Sequence, residues 1–217
     1  MIQNQIKGMK NTANTYTASF TAGALFREEC KVLIPLLLAG DEEAIRNEKE
    51  TGAQLRINAR ASRLRTIREV RNRFEATPKA VWERYTETSD KTEQALLLLF
   101  AALKTYTVLH DFQVEVVAPR WQRYNRELSK TDFLSFLYRK SEEHPEIDDW
   151  SQSTQEKLAT VTIRMLAEAG LLQDGKLKEV TVPFSFWVFF MEIDEPWFLD
   201  AVLLPEDLKQ RIGYQTV

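Results

Sequence analysis

Residues 151–187 read SQSTQEKLATVTIRMLAEAGLLQDGKLKEVTVPFSFW, and their patterning decides the fold class. Ser153 and Glu156 have the spacing of a capping box, in which hydroxyl and carboxylate each satisfy a backbone donor at a helix start. The helix they open carries Leu158, Val161, Met165 and Leu166 as its apolar stripe and stops at Gly170. LLQDGKLKEVTVPFSFW then predicts a strand, an Asp174-Gly175 hairpin turn and a second strand. The aromatic and β-branched stretch from Val180 to Ile193 also reads as strand. Upstream, Ser129 or Thr131 opens a helix through Lys140, followed by the acidic turn EEHPEIDDW. A helix, a turn, a second helix and a β-hairpin, in that order, are the parts of a winged helix-turn-helix. The predicted fold is mainly α: a multi-helix bundle with a C-terminal winged helix-turn-helix-like module carrying a small β-hairpin.

The rest of the chain agrees with a helical frame. Seven Gly and seven Pro in 217 residues are few for a turn-rich sheet protein, and 44% hydrophobic with 28% charged residues is ordinary globular composition. Ser19 or Thr17 caps a first helix through FTAGALFREEC, and KVLIPLLLAG ends at Gly40, with Asp41 capping the next helix. From Glu42 a charged helical pattern runs through to about Ala76, where Thr77-Pro78 breaks it. Lys91 to Thr107 is apolar on nearly every face and belongs in the core. Asp111 to Tyr124 is helical, with Pro119 ending or bending it. The chain divides into a polar leader at 1–15, read as flexible, a helical domain at 16–127, and the winged-helix-like module with a tail at 128–217.

Composition excludes several classes. The apolar runs Ala95 to Leu103 and Val32 to Ala39 reach roughly half of the about 20 residues a membrane-spanning helix needs. Cys30 is the single cysteine and His110 and His144 are the two histidines, so no disulfide and no Cys/His zinc cage can form within the chain. A reducing, cytoplasmic setting follows. The acidic residues at 142–149 lack the order of a calcium loop, and no phosphate-loop glycine pattern occurs. Neither histidine has a nucleophile at an identifiable spacing. Neither an enzyme nor a cofactor is expected.

Charge points toward a partner instead. Net charge is -3, yet residues 1–109 carry 17 basic against 13 acidic side chains while 110–217 carry 12 against 19. Ala53 to Phe74 holds seven Arg and one acidic residue, Glu69. Guanidinium forks chelate phosphate bidentately. On one continuous helix, Arg56, Arg60 and Arg63 would form a stripe with Arg71 near the same side, a phosphate-binding ridge for a polyanion. The alternative is a solvated face neutralised by acidic neighbours. In the C-terminal module, Ser153, Thr154 and Lys157 at the start of the second helix and Lys176 and Lys178 on the hairpin are candidates for duplex contact.

YTASFTAGALFREE (16–29), ARASRLRTIREVRNRF (59–74) and HPEIDDWSQSTQEKLATVTIRMLAEAGLL (144–172), with DFQVEVV (111–117) between them, together resemble the BrxA family of BREX bacteriophage-exclusion systems. The likeness covers roughly residues 16–175. It implies a non-enzymatic, mostly helical DNA-binding protein acting beside other BREX components. By position it carries the basic motif onto Arg60, Arg63, Arg65, Arg68, Arg71 and Arg73, and the C-terminal motif onto Ser153, Thr154 and Lys157. The near-zero net charge of that second helix departs from what a DNA reader leads one to expect. Double-stranded DNA is therefore the first expected partner. An assembly role, in which the Arg ridge meets an acidic surface and Phe184 to Phe190 supplies an apolar anchor, is the second, and folded RNA stays open.

Overall fold

The computed structural model describes residues 15–214. All but Thr15 of the expected leader at 1–15 therefore lies outside the described residues. The chain is mainly helical with one small antiparallel hairpin near the C-terminus, as its patterning predicts.

A 3-10 turn at Ser19–Ala22 leads into α1 (Arg27–Ala39), α2 (Glu42–Thr51), α3 (Arg60–Ala76), α4 (Lys79–Glu87) and α5 (Lys91–Thr105). Next come α6 (Thr107–Phe112), a π turn at Gln113–Val117, α7 (Ala118–Gln122), α8 (Lys130–Lys140), a 3-10 turn at Pro145–Ile147 and α9 (Gln152–Glu168). The hairpin is β1 (Leu172–Gln173) and β2 (Lys176–Leu177), paired Leu172 to Leu177 and Gln173 to Lys176. The tail forms α10 (Phe184–Glu192), α11 (Trp197–Ala201) and α12 (Glu206–Ile212).

Helix α5 is the axis. Every residue from Ala95 to Leu103 is buried, so no face of it is left for water, and α3, α4, α6 and α9 pack around it. Asp90 starts it by accepting the Thr92 and Glu93 amides. Among the described residues no single helix is long and apolar enough to cross a membrane. The helices α5 and α6–α7 reach that composition only as a pair bent by 113°. Pro119, lacking an N–H, explains the π turn before it: the Ala118 amide reaches back five residues to the Gln113 carbonyl, so the helix passes the proline without stopping.

Three local readings change. The first helix begins only at Arg27, because the segment before it turns through a 3-10 helix and Phe26 takes a left-handed conformation. Helix α9 is capped by Ser151, whose Oγ accepts from the Thr154 amide, and not by Ser153 and Glu156; Glu156 is instead engaged by the Gln152 side chain. The reciprocal cap occurs at Ser129 and Asp132, opening α8. The stretch after Pro183 is helix, not strand. Pro183 sits at the N-cap, and Phe186, Trp187 and Phe190 recur at helical spacing to fill a core wedge beside Phe100 and Phe198.

The segment ahead of α8 also pairs with the hairpin. The Leu128 amide donates to the Gly175 carbonyl, the Leu177 amide donates to the Arg126 carbonyl, and Glu127 bridges Lys176 antiparallel. Thus the order is an extended segment at 126–128, α8, α9 and the hairpin, with α8 packed on α9 and the extended segment closing on β2.

Both histidines sit in one cluster that ties the N-terminal segment to this unit. The Tyr16 ring stacks on His144 at 3.7 Å, its hydroxyl donates to Asp111 and its amide donates to Glu146. His144 bonds Glu146, and His110 bonds Asp111. Burial pushes the Asp111 carboxyl up, but the bonds from His110 and Tyr16 outweigh it and hold the group below its ordinary range; Glu146 is lowered in the same way. A carboxyl lowered by folding stabilises above its unfolded pKa and loses that contribution as pH falls through its folded value. Thermal stability of wild type should therefore fall from about pH 5 downward, and Asp111→Asn should flatten that slope.

Candidate nucleic-acid interface

The corner between α2 and α3 decides where the arginines go. The expected continuous helix from Glu42 to Ala76 is interrupted between Gly52 and Ala59. Gly52 takes a left-handed conformation (φ +64°) and ends α2. The buried Glu48 carboxylate then collects the amides of Gln54 and Leu55. Arg63 fills the corner. Its guanidinium donates to four carbonyls: Lys49 (3.2 Å) and Glu50 (2.6 Å) at the end of α2, and Ile57 (2.9 Å) and Asn58 (2.7 Å) in the loop. A cation is favoured at the carbonyl end of a helix, and this one is buried there. A Cβ on Gly52 would lie 2.4 Å from the Arg63 Cδ, so the glycine and the arginine fit as a pair.

Arg56 therefore lies in a loop, exposed and with positive φ, and shares no helical stripe with Arg60 and Arg63. Arg73 is 1% exposed; it donates to the Ala24 carbonyl and to Glu69, which also accepts from the Tyr106 hydroxyl, and it lies over the Phe26 ring. Arg60 makes a two-pronged contact with Glu50, and Arg71 pairs with Glu42 at 2.9 Å. These hydrogen bonds hold both glutamate carboxyls below their ordinary range.

Arg65 and Arg68 remain, one turn apart on the outward face of α3, with Asn72 one turn further. Like Arg56, they make no ion pair among the described residues. The electropositive strip is thinner than the sequence predicts and keeps only part of the expected set, Arg56, Arg65 and Arg68. One signal could have shown this: Arg63 and Arg73 fall at helical spacing on the stripe of Ile67 and Val70, the face that is buried.

The second set lies on α9 and the hairpin. Gln152, Ser153, Glu156, Lys157, Thr160 and Arg164 are exposed along α9. The Ser153 and Thr154 hydroxyls are engaged with the Ser151 hydroxyl, and Arg164 is held by Glu168. Lys176 and Lys178 project from β2 and just beyond it, with Lys178 bonded to Gln173. Lys157 and Lys176 make no ion pair among the described residues. The 3-10 turn at Ser19–Ala22 packs on both α3 and α9, which links the elements that carry the two sets.

The apolar anchor expected from Phe184 to Phe190 is mostly a core feature. Phe186, Trp187, Phe189 and Phe190 are buried, whereas Phe184 is exposed and lies under the Arg211 guanidinium.

The BrxA family model matches residues 14–186. The chain belongs to the BrxA family. Relatives described as "BREX protein BrxA" include one from Paramagnetospirillum magneticum (strain ATCC 700264 / AMB-1), 28% identical over 194 residues, which covers 86% of this chain and 96% of the relative. Another, from Escherichia coli O9:H4 (strain HS), is 28% identical over 160 residues, 73% of this chain and 74% of the relative. A crystal structure of an uncharacterized protein from Magnetospirillum magneticum superposes with a TM-score of 0.72 at 26% identity, covering 86% of this chain and 97% of that one. The BrxA match takes in both arginine-bearing α3 and the α8–α9–hairpin unit.

Arginines of one motif thus divide by role, and stability measurements should separate them. Arg63→Ala strands four carbonyls and should cost about 2–4 kcal/mol. Arg65→Ala and Arg68→Ala should stay within about 0.5 kcal/mol of wild type in chemical denaturation.

Proposed function

We propose that this chain is a non-catalytic, cytoplasmic DNA-binding component of a BREX defence system, acting on duplex DNA alongside other BREX components. The observation that carries the reading is the pairing of residues 126–128 with the hairpin behind α8 and α9. It supports reading this unit as a winged helix-turn-helix, an architecture that sets its second helix into the major groove and its hairpin tip against the backbone. Here Gln152, Ser153, Thr154 and Lys157 lie in the first two turns of α9, and Lys176 and Lys178 on the wing.

In this reading α9 reads little sequence. Glu156 and Glu168 balance Lys157 and Arg164, so few of its contacts can be attractive to phosphate. The grip comes from side chains not already engaged, namely Arg56, Arg65 and Arg68 with Lys157 and Lys176. Arg60 and Arg71 join only by exchanging a glutamate for a phosphate. Arg63 and Arg73 hold the frame on which the others stand. The family's relatives, described as BREX proteins, support placement in such a system.

Retardation of a duplex should be steep in salt. If about four phosphates are neutralised, log affinity falls with log salt at a slope near -3.6. Arg65→Ala with Arg68→Ala should lower the slope magnitude by about 2 and weaken all sequences alike. A flat salt response, or retention of RNA with no retention of duplex, overturns the proposal.

A further inference from the structure

The acidic half of the chain holds a surface the DNA reading does not use. Between α7 and the tail lies a cleft of about 380 Å³. One wall is Trp121, Tyr124 and Arg126; the other is Leu203, Leu204 and Pro205, with Glu179, Asp200, Glu206 and Asp207 around it. Its two cations are already committed. The Arg126 guanidinium lies 3.3 Å from the Trp121 ring centroid and donates to the Trp121 carbonyl. Lys209 is buried and paired with Asp200 and Glu206. Four carboxylates against two cations leave the cleft negative by two charges.

Tyr124 is the second feature. It is 84% exposed, and its backbone is left-handed (φ +60°), a conformation that costs a bulky side chain free energy. Arg126 lies 5.5 Å from its ring centroid on one side. An exposed aromatic ring beside uncommitted carboxylates is the chemistry that receives a cationic side chain: the ring quadrupole attracts the charge and the carboxylate accepts its hydrogen bonds. Leu203, Leu204 and Pro205 offer an apolar wall for the methylene stem. Phosphate is disfavoured by the same carboxylates, so this face does not suit the DNA.

We infer that the cleft between α7 and the tail is a docking site for a Lys/Arg-rich segment of a partner protein, with Tyr124 and the carboxylates of Glu179 and Asp207 as its contacts. Charge complementarity selects that occupant. The site is independent of the duplex contacts: α3, α9 and the hairpin tip contribute nothing to its walls. The chain would then present an electropositive face to nucleic acid and an electronegative cleft to protein.

The test is fluorescence anisotropy of the full chain with two labelled heptapeptides, Gly-Arg-Lys-Arg-Leu-Arg-Gly and its acidic counterpart Gly-Glu-Asp-Glu-Leu-Glu-Gly. The basic peptide should bind and the acidic one should not. Tyr124→Gly removes the ring and also relieves the left-handed backbone, so the variant should fold, checked by circular dichroism, yet bind the basic peptide about fivefold more weakly or worse. Glu179→Gln with Asp207→Asn should do the same. Asp148→Asn with Asp149→Asn, which alters the acidic turn before α9 by the same charge, should leave binding unchanged. Equal losses from the cleft and turn pairs, or a Tyr124→Gly variant that binds as wild type does, overturn the inference. So does sedimentation showing that the cleft residues mediate self-association, because a second copy would then be the occupant.

Discussion

A helix with no polar face must be covered from every side, and α5 imposes that requirement on the whole chain. Ala95 to Leu103 are buried without exception. One ring of helices cannot come from neighbouring sequence alone, so the cover is drawn from α3 and α4 before it, α6 and α9 after it, and aromatic side chains of the tail. Phe100 alone meets Phe190, Trp197 and Phe198. The tail, which matches no motif, is therefore part of the core. The candidate interface inherits its position from this packing, since α3 and α9 both rest on α5 with one face and turn the other outward.

The same constraint explains the division among the arginines. A helix packed against α5 must bury about half its surface, and α3 contains too few apolar residues to do so with hydrocarbon only. Arg63 and Arg73 occupy buried positions with acceptors close by: carbonyls of the α2–α3 corner for one, Glu69 and the Ala24 carbonyl for the other. Their charge is used inside the fold. Arg60 and Arg71 are bound at the surface by Glu50 and Glu42, both contributed by α2, which turns back beside α3 after Gly52. A count of charges in a window misses such pairing, because the neutralising groups lie 10 and 29 residues away.

Much of the fold was legible. The hairpin at Asp174-Gly175, the stops at Gly40 and Gly170, the cap at Asp41 and the central place of α5 follow from local chemistry, and family membership was readable from three separated motifs. Where the reading failed, two local rules competed. Val180 to Ile193 is rich in strand-forming residues, but Pro183 is an equally good helix start, and the choice fell to a core that needed Phe186 and Phe190 on one side. The α2–α3 break hid behind good helix formers because its cause is a glycine conformation stabilised by Arg63, eleven residues on.

The sequence by itself determined that this chain is mainly helical, has one fully buried helix, and concentrates positive charge in a single segment, because composition, period and capping act over a few residues. Only the tertiary structure decided which charges face solvent. That choice depends on acceptors brought from other elements: the same guanidinium is a clamp at Arg63, a paired ion at Arg71 and an uncommitted donor at Arg65, according to what the fold places within 3 Å of it.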